Sequence, residues 1–271
     1  LRILIAGLQL TKSNQLCVDY VRDNPDVPLL YSFLNDKRHI ENFPYKNHIF
    51  VDSGAHSWNK NTIMSLGKTR VSSLPDPFVF MKSYLDFIER HKDKGWVFAE
   101  LDIYKVVPKD AIDDWYKQAS QIKGNFQFVR VYHPTIDGGT LTELKKWIAQ
   151  GQSYIGIGND STPILNNIFR LTRDKVKIHG FAMTKRKLIE IYPFYSCDST
   201  TWLSGSMYGR HTDDKTFKGI HERDMVKKRS FKVIHTRDMS TVYEQWLEGL
   251  KSFHAMQTYG TNLWTKRGIK W

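Results

Sequence analysis

A (β/α)8 barrel of the TIM type is the fold this sequence predicts, and three observations predict it. Eight short runs, nearly continuous in apolar residues, recur through the first 200 positions. Segments with helical spacing alternate with them. The chain has 271 residues, which suits a single domain of this kind, since such barrels often fill ~250 residues. Near-continuous apolar runs are what strands covered on both faces require. Strands alternating with helices imply right-handed βαβ units and a parallel sheet. Eight runs favour closure over an open doubly wound sheet.

In order, the predicted strands cover residues 2–7 (RILIAG), 28–34 (PLLYSFL), 48–54 (HIFVDSG), 97–104 (VFAELDIY), 126–133 (FQFVRVYH), 154–158 (YIGIG), 177–183 (KIHGFAM) and 194–198 (FYSCD). The opening LRILIAGLQL is short and soon followed by Lys12, so it reads as a buried first strand and not as a signal peptide. The clearest helix covers residues 78–91, with Phe80, Tyr84, Phe87 and Ile88 on one stripe. Further helices are predicted over 110–122, 141–150, 163–171 and 185–192. After Asp198 the character changes: residues 199–237 are polar and basic, and a helical pattern at 242–254 carries Trp246, Leu247, Leu250 and Phe253. The barrel core is assigned to residues 1–203. Residues 204–271 form a basic extension with a closing helix in the same domain.

Forty Lys and Arg against 28 Asp and Glu give a net charge of +12. That balance favours a polyanionic partner, because neutralising phosphates releases counterions. The run Lys227, Lys228 and Arg229, together with Arg210, is the candidate nucleic-acid contact. The two cysteines, Cys17 and Cys197, are far apart and in no CxxC pair, which suits a reducing cytoplasm and indicates neither a disulfide framework nor a cysteine-rich zinc site. No apolar run approaches the ~18 residues that span a bilayer, so no membrane partner is expected. The chain lacks a P-loop, a third glycine beside Gly156 and Gly158, and any H-E-x-x-H spacing, so no cofactor and no metal are expected.

In a parallel barrel the active site forms where strands end, because the loops there converge on the axis. The polar residues finishing the runs are Asp52, Asp102, His133, Gly156, Gly158, His179 and Asp198. A single strand-end Asp is commonly a helix cap or turn former. Three of them closing three separate runs point to a shared site. Paired carboxylates at a barrel mouth suit chemistry at a sugar anomeric carbon: one attacks C1′ as the oxocarbenium-like transition state develops, and another manages protons. The glycines of YIGIGND let backbone approach a flat ligand closely.

These residues resemble a known family. VDSGAHSW (51–58) resembles the DSGG-type motif of the guanine transglycosylases, the tRNA-guanine enzymes of queuosine biosynthesis and their DNA-modifying relatives. FAELDIY is similar to the strand whose Asp recognises the base, YIGIGND to the glycine-rich base-binding strand, and SCDSTTW to the strand carrying the nucleophile. The four occur in family order across residues 48–202. The resemblance implies a double displacement. Asp198 attacks C1′ and expels guanine, and an incoming 7-deazaguanine then gives its ring proton to Asp52 and takes the sugar. Asp102 receives the donor edge of the base. Backbone of Ile155, Gly156 and Gly158 holds the opposite edge, with His133 at the base oxygen and Ser53 and Gly54, beside Asp52, as further substrate-binding residues. Trp58, Tyr104 or Trp202 is a candidate stacking partner for a base that must be flipped out or single-stranded.

The sequence also departs from the tRNA enzymes. No cysteine follows Cys197 to build their structural zinc site, His133 stands where they have a glutamine, and Asn159 stands near their base-selecting glutamate. These departures favour DNA as the partner, as in the transglycosylases of bacteriophages and bacterial modification systems, with a 7-deazaguanine base as the small-molecule substrate. A tRNA substrate, a non-catalytic nucleic-acid-binding barrel and a metal-assisted barrel hydrolase are the alternatives.

Overall fold

The computed structural model describes residues 1–8, 11, 14–59, 74–173, 175–203, 210–212, 219–221 and 239–270. Eight parallel strands close into a barrel in sequence order: β1 (Arg2–Ala6), β2 (Leu29–Ser32), β3 (Ile49–Asp52), β4 (Val97–Ala99), β5 (Gln127–Tyr132), β6 (Tyr154–Ile157), β7 (Lys177–Gly180) and β8 (Ser196–Ser199). β8 pairs back onto β1 with Leu4 beside Asp198, so the sheet has no free edge. The predicted (β/α)8 barrel is the observed fold.

Helices α1 (Gln15–Asp23), α2 (Phe33–Glu41), α3 (Pro77–His91), α4 (Lys109–Gln121), α5 (Thr142–Ala149), α6 (Leu165–Thr172), α7 (Arg186–Ile191) and α8 (Met239–Lys266) connect and surround the strands. α3 shows why its sequence is helical. Asp76 caps it, its carboxylate accepting from the amides of Phe78 and Val79 at 2.9 and 3.0 Å, with Pro77 in the first turn. Its apolar stripe then buries Phe80, Tyr84, Phe87 and Ile88.

Several predicted boundaries change. Residues 33 and 34 end no strand: the backbone turns at Ser32 and Phe33 opens α2. β4 stops at Ala99, so Asp102 lies on an extended loop beyond it. α1 and α2 are helices the periodicity did not predict. The closing helix runs from Met239 to Lys266, far past residue 254, and packs on β1, α1 and α7, the place of an eighth barrel helix. Gln257 ties it there by accepting from the amide of Ile3 at 2.8 Å. β9 (Arg210–Thr212) and β10 (Gly219–His221) form a separate antiparallel pair.

The core is layered. An inner cluster of Leu4, Leu30, Phe50, Val97, Val129 and Tyr154 fills the barrel, while outer clusters fill the space between strands and helices. Strand alternation sets which residues look inward, so His48, Phe50 and Asp52 share one face, as do Ser196 and Asp198. At the amino-terminal end of the barrel Arg2 and Lys177 lie over the Tyr195 ring, 5.2 and 4.6 Å from its centroid, and Arg2 reaches His48 Nε2 at 3.1 Å. Burial, with the charges of Arg2 and Lys177, pulls the His48 pKa down to about 4.

Candidate active site

The carboxyl-terminal end of the barrel gathers the acids that the sequence placed at strand ends. Asp52 finishes β3 and its neighbour on β2 is Ser32. Ser53 and Gly54 turn the chain back so that the Gly54 amide faces Asp52 Oδ2 at 3.3 Å. The turn needs glycine: Gly54 has φ +88°, and a Cβ there would stand 2.5 Å from that of Leu34. From outside, the Tyr84 hydroxyl donates toward the carbonyls of Ala99 and Val51, at 2.9 and 3.3 Å, which clamps the ends of β3 and β4 together.

Asp52 has the most telling electrostatics. Burial, then the negative charges of Asp102 and Asp198, push its pKa up to about 7, against weaker help from the amides of Gly54 and Ser53. The charges of Asp102, on the loop after β4, and Asp198, on β8, therefore both bear on Asp52 across the mouth. Mutual repulsion in a partly dry site is costly, and the protein relieves it by letting one acid hold its proton near neutrality.

Asp102 and His133 form a second unit. Asp102 Oδ2 is 2.7 Å from His133 Nε2, and Asp160 Oδ2 is 3.4 Å from Nδ1. Burial opposes charge on this imidazole, but the hydrogen bonds and charges of the two aspartates outweigh it and raise its pKa to about 9. At neutral pH it is an imidazolium between two carboxylates. The Tyr104 ring lies against it, with centroids 4.6 Å apart. Both nitrogens face carboxylates, so His133 does not make the expected contact with a base oxygen and instead holds Asp102 in place. Asp102 keeps Oδ1 without a hydrogen bond among the described residues.

Behind this pair a buried network stiffens the β4–β5 ladder. Glu100 accepts from the Val131 amide at 2.9 Å and from Arg130 Nε at 3.3 Å, and Arg130 also reaches Asp113 at 2.7 Å. The guanidinium is sandwiched between the rings of Tyr116 and Trp147, each 4.1 Å away. Burial pushes Glu100 up to about 7 in spite of Arg130. A cleft on the outer side of Asp102 and His133 runs toward Arg130 and Lys109. Residues of α4 and α5 line it and neither Asp52 nor Asp198 does, so the cleft is not where those acids would meet a ligand.

On β8, Asp198 is largely buried. Its Oδ1 accepts from the Ala182 amide at 3.1 Å and lies 3.3 Å from His179 Nε2. Ala182 holds φ +57°, a left-handed conformation that costs an L-residue roughly 1 kcal/mol. The strain buys one thing: an amide aimed at the carboxylate.

Other predicted site residues fare differently. The Ser53 side chain is fully buried and accepts from the Ala55 amide at 3.3 Å, so it shapes the turn and offers nothing to a ligand. Ile155 and Gly156 sit inside the ladder with partners on both β5 and β7, which commits their backbone groups to the sheet. Gly158 lies beyond the end of β6, and its carbonyl already accepts from the Ser161 amide at 3.0 Å, which leaves its N–H for the edge of a base. Gly156 has its own reason: a Cβ there would stand 2.6 Å from the Phe181 ring. Trp58 and Trp202 are core residues, Trp202 donating to the Ala6 carbonyl at 2.9 Å, so neither can stack on a base. Among the described residues, Tyr104 and the part-exposed ring of Phe181 are aromatics at the mouth. Lys227, Lys228 and Arg229 lie outside the described residues, as does the side chain of Arg210. Among the described residues, no three His, Cys, Asp or Glu side chains converge as metal ligands do, and no helix is long and apolar enough to cross a membrane.

Sequence reasoning missed Asp160 and the Glu100–Arg130 pair. Both left a signal. Asp160 directly follows the glycine-rich strand end, and a charged Arg130 within an apolar run demands a buried partner.

No protein-family model matches the chain, and no curated protein matches it. Among solved structures it is similar to one described as a candidate fructose-1,6-biphosphate aldolase from Coccidioides immitis, at 8% identity and a TM-score of 0.48, over 97% of this chain and 92% of that one. A likeness at that level carries no argument about chemistry.

Proposed function

We propose that this barrel is a base-exchange glycosyltransferase that replaces guanine in DNA with a 7-deazaguanine derivative through a covalent Asp–sugar intermediate. The observation that carries the reading is that Asp52, Asp102 and Asp198 stand at or just beyond the ends of three strands of one closed barrel, where the charges of the latter two help raise Asp52 to about 7. An acid with that pKa can both give and take a proton near neutrality.

In the first half-reaction Asp198 Oδ2 attacks C1′ and the bond from C1′ to guanine N9 breaks. The electron pair goes to the base, and protonated Asp52 supplies the proton that lets it leave as neutral guanine. In the second, ionised Asp52 takes the ring N–H proton of the incoming deazaguanine. The freed ring nitrogen attacks C1′, the ester to Asp198 opens, and its electron pair returns to the carboxylate. Two inversions give net retention. Asp102 Oδ1 accepts from the N1–H and amino group of the base while His133 fixes the other oxygen. Phe181 or Tyr104 offers a ring face for stacking.

DNA in preference to tRNA follows from the sequence departures already described. The mouth itself is acidic, so phosphate contacts fall to basic residues outside it, for which Lys227, Lys228, Arg229 and Arg210 remain the candidates.

The test is incubation with duplex DNA, single-stranded DNA and tRNA, each with a 7-deazaguanine base, followed by nucleoside mass analysis. Incorporation into DNA by the wild-type protein is expected, with a loss of at least about 10³-fold in Asp198→Asn and an unchanged melting temperature. Exchange in tRNA alone would move the substrate. Undiminished exchange in Asp198→Asn would remove Asp198 from the chemistry.

A further inference from the structure

Beneath the acidic mouth a chain of buried polar side chains ends on Asp198. The Tyr154 hydroxyl is 2.5 Å from Ser196 Oγ, and Ser196 Oγ is 2.7 Å from His179 Nδ1. His179 Nε2 is 3.3 Å from Asp198 Oδ1, within ion-pair distance although not aligned as a hydrogen bond. His179 and Ser196 are lateral neighbours in the β7–β8 ladder, and Asp198 stands one inward position above Ser196 on the same strand face. His179 is fully buried. Its ring stacks on Phe50, with centroids 4.4 Å apart at 25°, and meets the edge of Phe181 at 4.3 Å.

We infer that His179 is a positioning residue, which holds Asp198 Oδ1 from inside the barrel so that Oδ2 faces the mouth. The inference deepens the proposed function, since it rests on Asp198 being the nucleophile. A buried donor chain must run in one direction. If the Tyr154 hydroxyl donates to Ser196 and the Ser196 hydroxyl donates to Nδ1, the imidazole proton sits on Nε2 and points at the carboxylate. The opposite tautomer would set an Nε2 lone pair 3.3 Å from an anionic oxygen in a dry interior, with no donor between them.

Phe50 and Phe181 fix the plane of the ring, so the donor cannot swing away. The Ala182 amide supplies a second donor to the same Oδ1. Oδ2 receives no hydrogen bond among the described residues. One oxygen therefore accepts from the Ala182 amide and is faced by His179 Nε2, and the other is left for C1′. Without the clamp the carboxylate can rotate about its Cβ–Cγ bond and loses the near-attack geometry, a misplacement that costs up to about 10²-fold.

Two measurements test this. Nitrogen-15 NMR of histidine-labelled protein should show His179 as the Nε2–H tautomer, with a resonance that moves in Asp198→Asn and a tautomer preference that weakens in Ser196→Ala. This readout needs no substrate, so it judges the clamp even if base exchange is never seen. In the exchange assay His179→Phe, which keeps the aromatic packing, should lower kcat about 10- to 100-fold with little change in KM, and His179→Gln should recover part of the loss through its amide N–H. An Nδ1–H tautomer indifferent to Asp198→Asn would overturn the inference. So would a folded His179→Phe protein with wild-type kcat.

Discussion

At one end of the barrel the charges of Asp102 and Asp198 bear on Asp52 and the His133 imidazolium sits between Asp102 and Asp160, whereas at the other Arg2, Lys177 and His48 crowd the Tyr195 ring. Both ends bring like charges together in partly dry surroundings, and the protein answers the strain differently. At the amino-terminal end it discharges the problem: His48, with its pKa down at about 4, is neutral at every physiological pH, and the two cations spread over an aromatic face. At the mouth it leaves the problem half solved. Asp52 titrates at about 7, where a proton can move in either direction. A perturbed group is thus not in itself a mark of chemistry. What separates the two ends is whether the perturbation lands near working pH and at strand termini where loops admit a ligand.

This contrast can be broken or sharpened by substitution. Among the three substitutions that bear on this contrast, the largest effect should come from the unit that holds Asp102. His133→Gln removes the imidazolium, and base exchange should fall about tenfold or more. The wild-type rate should decline as pH passes about 9, where His133 loses its charge, and that limb should vanish from the pH–rate profile of the variant. A limb that persists in His133→Gln would assign it to another group.

A smaller effect is expected on stability. Asp52 has a folded pKa of about 7 against an ordinary value of 3.8. Below 3.8 both folded and unfolded states carry the proton. Between 3.8 and 7 the unfolded chain gives it up first, so stability falls as pH rises, and the loss levels off above 7. Asp52→Asn escapes that loss. Denaturant melts should show the variant gaining on wild type between pH 4 and 7, by on the order of 2 kcal/mol at pH 8 once partial exposure is discounted. A constant difference across that window would mean that Asp52 ionises normally.

The smallest effect belongs to the other end. Arg2→Met or Lys177→Met should leave exchange within about twofold and lower stability by roughly 1 kcal/mol, the value of a cation on a ring. A large loss of activity would show that the two ends are coupled.

How much of this was legible in the chain varied with the kind of signal. The strands were, because burial on both faces writes near-continuous apolar runs such as RILIAG and YIGIG. α2 was not: Phe33 and Leu34 continue the apolar run of β2, and apolarity alone cannot say where the backbone turns from strand to helix. β4 was read too long for a related reason. Leu101 and Ile103 are fully buried, but as loop residues packed under the mouth. The acids Asp52, Asp102 and Asp198 were found because strand ends converge in any parallel barrel. Their pairings were not, since setting His133 between Asp102 and Asp160, or His179 between Ser196 and Asp198, depends on lateral register between strands, which one sequence does not display.

Gly156 carries a consequence of a different kind. The space its missing side chain leaves is filled by the protein's own Phe181 ring, so selection would keep that glycine whether or not anything ever docked above it. Adding a single methyl group would force that aromatic off its place against the His179 ring while the barrel beneath stayed closed. The set of an imidazole on one strand would then be governed by one carbon atom on its neighbour.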